Sequence, residues 1–309
     1  MRATVAALAD LDPGAAQRLA QETAAYRDDI LAAVKRAWQE SPVVRLGDGH
    51  AVPHVPTRVG IRGRAPGWIR EVAYGPLHLV DCGVLDAAAD AATWILRDLE
   101  DNLLLSREWG REVDKEQWWF SRGGATIQPS LLNIGPVYLR RGQRRHAVRA
   151  LWNNLGQVLY RDVRCFAEHA VEGFGEGVGP FYKAPDECAF LLWLLEYMVR
   201  DTEDGLCLLD GCPLEWFQPG STIEVTDIVT RWGRVSVRAA VDAQGDGAQV
   251  RCALPAAAGR ASVRLVRPDG TPWPVYQVNG RAAEAGPDGV VRIDRTVARG
   301  HVRVEGRSV

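Results

Sequence analysis

Between Cys165 and Trp193 the chain reads CFAEHAVEGFGEGVGPFYKAPDECAFLLW, the densest polar chemistry in the sequence. Glu168, His169, Glu172 and Glu176 fall within nine residues, followed by the turn Gly177-Val178-Gly179-Pro180 and then Phe181, Tyr182 and Lys183, ahead of a helix that begins near Pro185. Those residue types suit the cleavage of a glycosidic bond, which needs two carboxyl groups flanking the bond and aromatic faces against which a sugar ring can lie. The glycines let the backbone approach a ligand closely. The competing reading is a solvated acidic loop whose glycines only turn the chain.

Glu168 is the residue expected to act as general acid or base, because it lies between a short apolar run and a glycine-rich turn rather than on a regular helix face. Its structural alternative is a surface carboxylate paired with Arg164, and Glu172 and Glu176 stand as alternatives that the sequence does not separate. A second cluster is Trp68-Ile69-Arg70-Glu71. Here Glu71, beside Trp68 and Arg70, is the candidate acid or base partner or hydroxyl acceptor, although an acid in a first helical turn is favourable for the dipole alone. A third is Gln117-Trp118-Trp119-Phe120-Ser121-Arg122. Of Trp118 and Trp119, which as neighbours cannot face the same way, one is expected as a sugar platform and one as core. Arg122 and Gln128 would hold hydroxyls, or else cap and solvate a turn, and Glu176, Tyr182 and Lys183 complete the expected substrate contacts. Asp98, Glu100 and Asp101 read as the solvated face of a helix. His78 and His146 read as helix histidines satisfied within the fold. No metal constellation, phosphate loop or Ser-His-Asp context is recognisable, so no cofactor is expected.

The elements that must position these residues follow from periodicity. Residues 14–39 carry apolar positions at helical spacing behind the start signal Asp12-Pro13. Three prolines and a Gly-Asp-Gly turn make the next stretch a long loop with brief strands, and loops of such length are often functional. Further helices are expected over about 67–82, 86–105, 126–140, 143–160 and 186–200, as successive hairpins whose loops gather at the ends of the stack. From Gly220 onward the pattern alternates with period two, in TIEVTDIV, RVSVRAAVDA, AQVRCAL, ASVRLVR, VVRIDRT and HVRVEG, with turns at Gly245-Asp246-Gly247, Pro268-Asp269-Gly270 and Asn279-Gly280. This predicts a helical-hairpin domain over 1–201, a linker over 202–219 and an antiparallel β-sandwich over 220–309.

Composition narrows the function classes. The chain has 309 residues, 47% of them hydrophobic and 25% charged, and a net charge of -2 with its basic residues scattered, which speaks against nucleic acid or an anionic membrane as partner. Acids at 10, 12, 22, 28 and 29 interrupt any signal-peptide core, and no segment reaches membrane-spanning length, so a cytoplasmic location is expected if the chain is complete. The six cysteines complete no zinc pattern and read as free buried thiols, with a Cys207–Cys212 bridge as the alternative.

With these residues in view, the chain resembles the six-hairpin glycosidases, the superfamily of glucoamylases, trehalases, debranching enzymes and rhamnosidase-like proteins. Trp68-Ile69-Arg70-Glu71 is similar to the Trp-x-Arg-Asp/Glu step that lines a sugar subsite in several of them. Phe166-Ala167-Glu168 resembles the segment carrying a catalytic carboxylate before the last helices of their barrel. Pro268 to Pro272 and Val278-Asn279-Gly280 resemble the β-domains that often follow it. The resemblance implies an (α/α)6 toroid, a carbohydrate substrate, and cofactor-free, inverting hydrolysis by Glu168 and Glu71. The toroid needs twelve helices and the sequence shows about six, which implies an upstream domain of a longer chain or an incomplete ring. A non-catalytic carbohydrate-binding or structural module, which would keep the tryptophans without an acid pair, is the alternative function.

Overall fold

The computed structural model of the protein describes residues 2–41, 43–46, 48–56, 76–100, 133–160, 163–166, 169–171, 176–178, 184–293 and 300–308. Helices predominate first and antiparallel strands second, in two compact units, Met1–Phe190 and Leu191–Val309.

The first unit opens with α1 (Arg2–Leu8), absent from the sequence expectation, and α2 (Pro13–Glu40), which is the long amphipathic helix expected over 14–39. The Asp12 carboxylate accepts the Ala15 N–H at 2.8 Å, and proline in the first turn forgoes an N–H that would have no helical partner. The brief strands of the following loop are β1 (Val43–Arg45) and β2 (Ala51–Pro53), an antiparallel hairpin with Val43 opposite Pro53. Then come α3 (Pro76–Asp81), α4 (Asp90–Leu99), α5 (Ile134–Arg140) and α6 (Arg144–Val158). Neighbours in sequence pack together: α1 on α2, α3 on α4, α5 on α6, with α3 also touching α5 and α4 touching β2. Gly142, at φ 72°, makes the break between α5 and α6 at the place the Arg141-Gly142 pair marks.

Where the sequence reads as a continuous polar loop after α6, the backbone forms two short hairpins. β3 (Leu159–Tyr160) pairs with β4 (Cys165–Phe166), and β5 (His169–Val171) pairs with β6 (Glu176–Val178). Too few residues alternate there for a period-two signal to emerge. α7 (Ala184–Met198) follows, and the division between the units falls within it.

In the second unit one sheet has the order β14-β13-β16-β11-β10-β9 and the other β15-β12-β8-β7. The strands are β7 (Val199–Asp201), β8 (Gly205–Leu208), β9 (Thr222–Thr230), β10 (Gly233–Val241), β11 (Gly247–Leu254), β12 (Arg260–Arg264), β13 (Val275–Val278), β14 (Arg281–Ala283), β15 (Val290–Ile293) and β16 (Gly300–Arg307). Alternation works as expected: Val235, Val237 and Ala239 of β10 are buried while Arg234 and Arg238 are exposed. One apolar core draws on both sheets, with Val250, Val263, Leu265 and Val304 fully enclosed; each such side chain contributes about 1.5–3 kcal/mol of transfer free energy. Asn279 and Gly280, at φ 49° and 77°, form the two-residue turn between β13 and β14 that the strand twist favours. Gly306 on β16 lies flat against the Trp273 ring, which a Cβ there would overlap.

Two expectations for this region need correction. The segment 202–219 is no linker: it supplies β8 and a 3-10 turn, Leu214–Phe217, and Leu206, Leu208, Leu209 and Phe217 sit in the core. The run Gly205-Leu206-Cys207-Leu208-Leu209 is short and continuously apolar, the pattern of a strand buried on both faces rather than of a tether. Nor is the pairing wholly antiparallel, since β8 runs parallel to β12 with Gly205 opposite Arg260. None of the six cysteines is in a disulfide: Cys165, Cys212 and Cys252 are buried, Cys207 is half-buried, and Cys82 and Cys188 are exposed, so the expectation of buried thiols holds for only part of the set. No helix among the described residues is long and apolar enough to cross a membrane.

Candidate functional site

In the helical unit, polar side chains from distant segments meet inside the fold. α4 turns Ala91, Ile95 and Asp98 to one side, positions i, i+4 and i+7 of a helix, so its acid lies on the apolar stripe rather than on the solvent face. Asp98 is 3% exposed, and its carboxylate stands 2.9 Å from Nδ1 of His54, itself 2% exposed and placed just after β2. A buried carboxylate requires such a partner. The contact joins the end of β2 to α4 inside the fold. The expectation that Asp98 is solvated is therefore overturned.

Glu100, at the end of the same helix, is half-buried and accepts a 2.7 Å hydrogen bond from the Tyr138 hydroxyl of α5, so it too departs from a solvated face. Burial, with the Glu100 carboxylate adding to it, holds the Tyr138 phenol well above its ordinary range, so the hydroxyl keeps its proton and serves as donor. The Tyr138 ring also lies 5.3 Å from that of half-buried His146. Around them Asn133 donates to Asp81 Oδ1 at 2.6 Å, Arg140 donates to the Asp81 carbonyl at 2.8 Å, and Arg141 bonds Thr93 Oγ1 at 2.9 Å and the Ala87 carbonyl. These bonds tie α5 to α3 and α4.

Nearer the polar stretch, the Phe166 N–H donates to Oε1 of Glu187, in the first turn of α7, at 3.0 Å, and the Phe166 ring packs 5.0 Å from Phe190. Chain positions 166 and 187 are thus pinned together.

Most of the residues singled out from the sequence, namely Trp68, Arg70, Glu71, Trp118, Trp119, Arg122, Gln128, Glu168, Tyr182 and Lys183, lie outside the described residues, as do Asp101 and Glu172. Glu176 begins β6, with its backbone opposite Val171. His54 escaped the sequence reading. The available signals were the unusual length of its loop and the need of any acid on the α4 stripe for a partner. Among the described residues no group of three or more His, Cys, Asp or Glu side chains is disposed to hold a metal ion.

No protein-family model matches the sequence, and no curated protein matches it. Among solved structures, one named "Glycoside hydrolase" is similar with a TM-score of 0.32 and 13% identity, over 59% of this chain and 33% of that one. This chain thus spans about a third of that protein's length.

Proposed function

We propose that the chain is a glycosidase-like protein whose helical unit is part of an α/α toroid and whose second unit is a β-sandwich, acting on a glycosidic bond. In this reading Glu168 and Glu71 are the acid and base of an inverting hydrolysis, their carboxyl groups about 6.5–9.5 Å apart so that a water fits between base and sugar. Trp68, Arg70, one of Trp118 and Trp119, Arg122, Gln128, Glu176, Tyr182 and Lys183 bind the sugar. An upstream domain of a longer chain completes the ring.

The observation that carries the proposal is the pinning of Phe166 to Glu187. A chain that leaves and returns to one anchored point can present an acid-rich, glycine-rich segment from a rigid support, as catalytic loops require. The sequence Phe166-Ala167-Glu168 sets the candidate acid two residues beyond that anchor.

The test is a screen of aryl glycosides and oligosaccharides with the full-length protein, followed by Glu168→Gln on whichever substrate is cleaved. Removing an acid-base group while keeping its shape is expected to lower turnover about a hundredfold or more with sugar binding retained. Unchanged turnover moves the role to Glu172 or Glu176. If no glycoside is cleaved but oligosaccharides bind, the chain is a binding module instead.

A further inference from the structure

Four strands of the second unit lie at sheet edges, β14 and β9 in one sheet and β15 and β7 in the other. Three are short: β14 and β7 have three residues each and β15 has four, with Ala285 bridged to Val291 on its outer side. β9 has nine, and no strand pairs with its outer side among the described residues. An edge strand offers a row of backbone N–H and C=O groups to any extended chain that meets it, and a longer edge offers more of them. The composition of β9 adds to this. Ile223, Val225, Thr226, Ile228, Val229 and Thr230 are all strand-forming types, and Val229 is 73% exposed.

The same strand carries a bulge. Val235 of β10 stands opposite Ile228 and Val237 opposite Val225, so Thr226 and Asp227 together face Ser236 alone. By contrast, β11 meets β16 from Gly247 to Leu254 without a shift. Asp227 takes φ 55°, a left-handed conformation that aspartate tolerates better than most residues. Two side chains of β10 hold it there: Ser236 Oγ accepts the Asp227 N–H at 3.0 Å, and Arg234 Nη1 donates to the Asp227 carbonyl at 3.3 Å. The extra residue lets Val225 and Ile228, three positions apart, both pack on the core while Thr226 and Asp227 stay exposed between them. A bulge bends its strand and raises the local twist, so the row of edge groups is broken near its middle.

We propose that the bulge at Asp227 keeps the outer edge of β9 from pairing with the same edge of a second copy of this chain. Every copy carries that edge, and two β9 strands paired antiparallel about a two-fold axis would leave neither with an open side, a closed dimer. Straight edges of this length are the ones that proteins interrupt with a bulge or a charge, whereas edges of three or four residues are already too short to template a partner. The shape of the backbone, rather than the Asp227 carboxylate, does the blocking. This role is independent of the proposed hydrolytic pair, so either can fail without the other.

The experiment compares the full-length protein with variants at the bulge. Deleting Asp227 leaves Thr226 alone opposite Ser236 and restores strict alternation from Val225 to Ile228. Asp227→Thr disfavours the left-handed backbone through its β-branched side chain without adding apolar surface, whereas Asp227→Asn removes the charge and keeps a residue suited to that backbone. Molecular mass is read by light scattering and protection of the amides of 222–230 by hydrogen exchange, both as a function of protein concentration. In the unaltered chain and in Asp227→Asn, exchange over 222–230 is expected to be independent of concentration. In the deletion variant, and to a smaller extent in Asp227→Thr, mass is expected to rise toward twice that of the chain while the same amides exchange more slowly. Should the deletion disturb folding, Asp227→Thr alone decides. Mass and exchange that stay independent of concentration once the bulge is removed, protection of 222–230 on association of the unaltered chain, or association of Asp227→Asn as ready as that of the deletion variant would each overturn the proposal.

Discussion

The two units bury different things. In the second, the interior is a continuous apolar cluster between two sheets; of the buried polar or charged residues among those described, only Asp210, held by Arg200 at 2.7 Å, belongs to it. In the first, His54, Asp98, Arg149 and Asp186 are all buried. Taking a charge out of water costs several kcal/mol that a partner only partly returns, so buried pairs are poor sources of stability. The interior of the β unit is thus almost wholly apolar, while that of the helical unit takes in ionisable side chains that need partners there.

The largest effect expected concerns the closure of the β core, read by thiol reactivity. Cys82 and Cys188 are exposed in the helical unit, whereas Cys212 and Cys252 are enclosed in the β unit, where burial raises both thiols, that of Cys252 to about 12. Thiolate, not thiol, attacks a disulfide reagent. Under native conditions at pH 8 the first two are expected to react with Ellman's reagent, and the last two at least about a thousandfold more slowly, the factor that a stability near 5 kcal/mol imposes on reaction through unfolding. Comparable rates for all four would show that the β core opens far more readily than its enclosure of Cys212 and Cys252 implies.

Next in size is Phe217→Ala. Phe217 is fully enclosed in the β unit with the Arg264 guanidinium 5.9 Å above its ring, and its removal is expected to cost about 4 kcal/mol in urea unfolding of that unit. A loss below 1 kcal/mol would mean that the core collapses around the cavity. Asp98→Ala should cost somewhat less, about 3 kcal/mol, because it strips a buried imidazole of its partner. Here the two units should diverge in kind: replacing both His54 and Asp98 by leucine should recover most of that loss, as no apolar double substitution could at Phe217. Additive losses in the double variant would show that packing, not the pair, holds β2 on α4. The smallest effect expected is that of Asp12→Ala, about 1 kcal/mol, read as lost helicity by circular dichroism; it removes a cap at an exposed helix start and touches neither core.

Much of the architecture was legible because its causes are local. The cap at Asp12, the Arg141-Gly142 break, the alternation along β9, β10, β11 and β16, and the Asn279-Gly280 turn all rest on contacts between near neighbours or on a period that a few residues reveal. β13 and β14 are only a few residues long, and β8 has no polar alternation because both of its faces are covered, so neither gave a readable period. Those strands exist through pairing with partners far along the chain, as β8 does with β12.

For the candidate site the division follows the same physics. The sequence by itself determined which carboxylates and aromatic residues the chain offers and the order of helical and strand-rich regions, whereas Gly177 and Val178, which read as part of a turn, belong to β6. Only the tertiary structure decided which acids are solvated. Asp98 looks like a surface charge in a helical acidic run until His54, 44 positions earlier, is brought against it by the packing of α4 on β2. The alignment of exposed arginines across the six-stranded sheet has the same origin. Arg238, Arg251 and Arg303 lie far apart in a chain whose net charge is -2, and only the register of three strands sets them side by side. Burial and register depend on distances between segments, and a linear pattern contains the residues but not those distances.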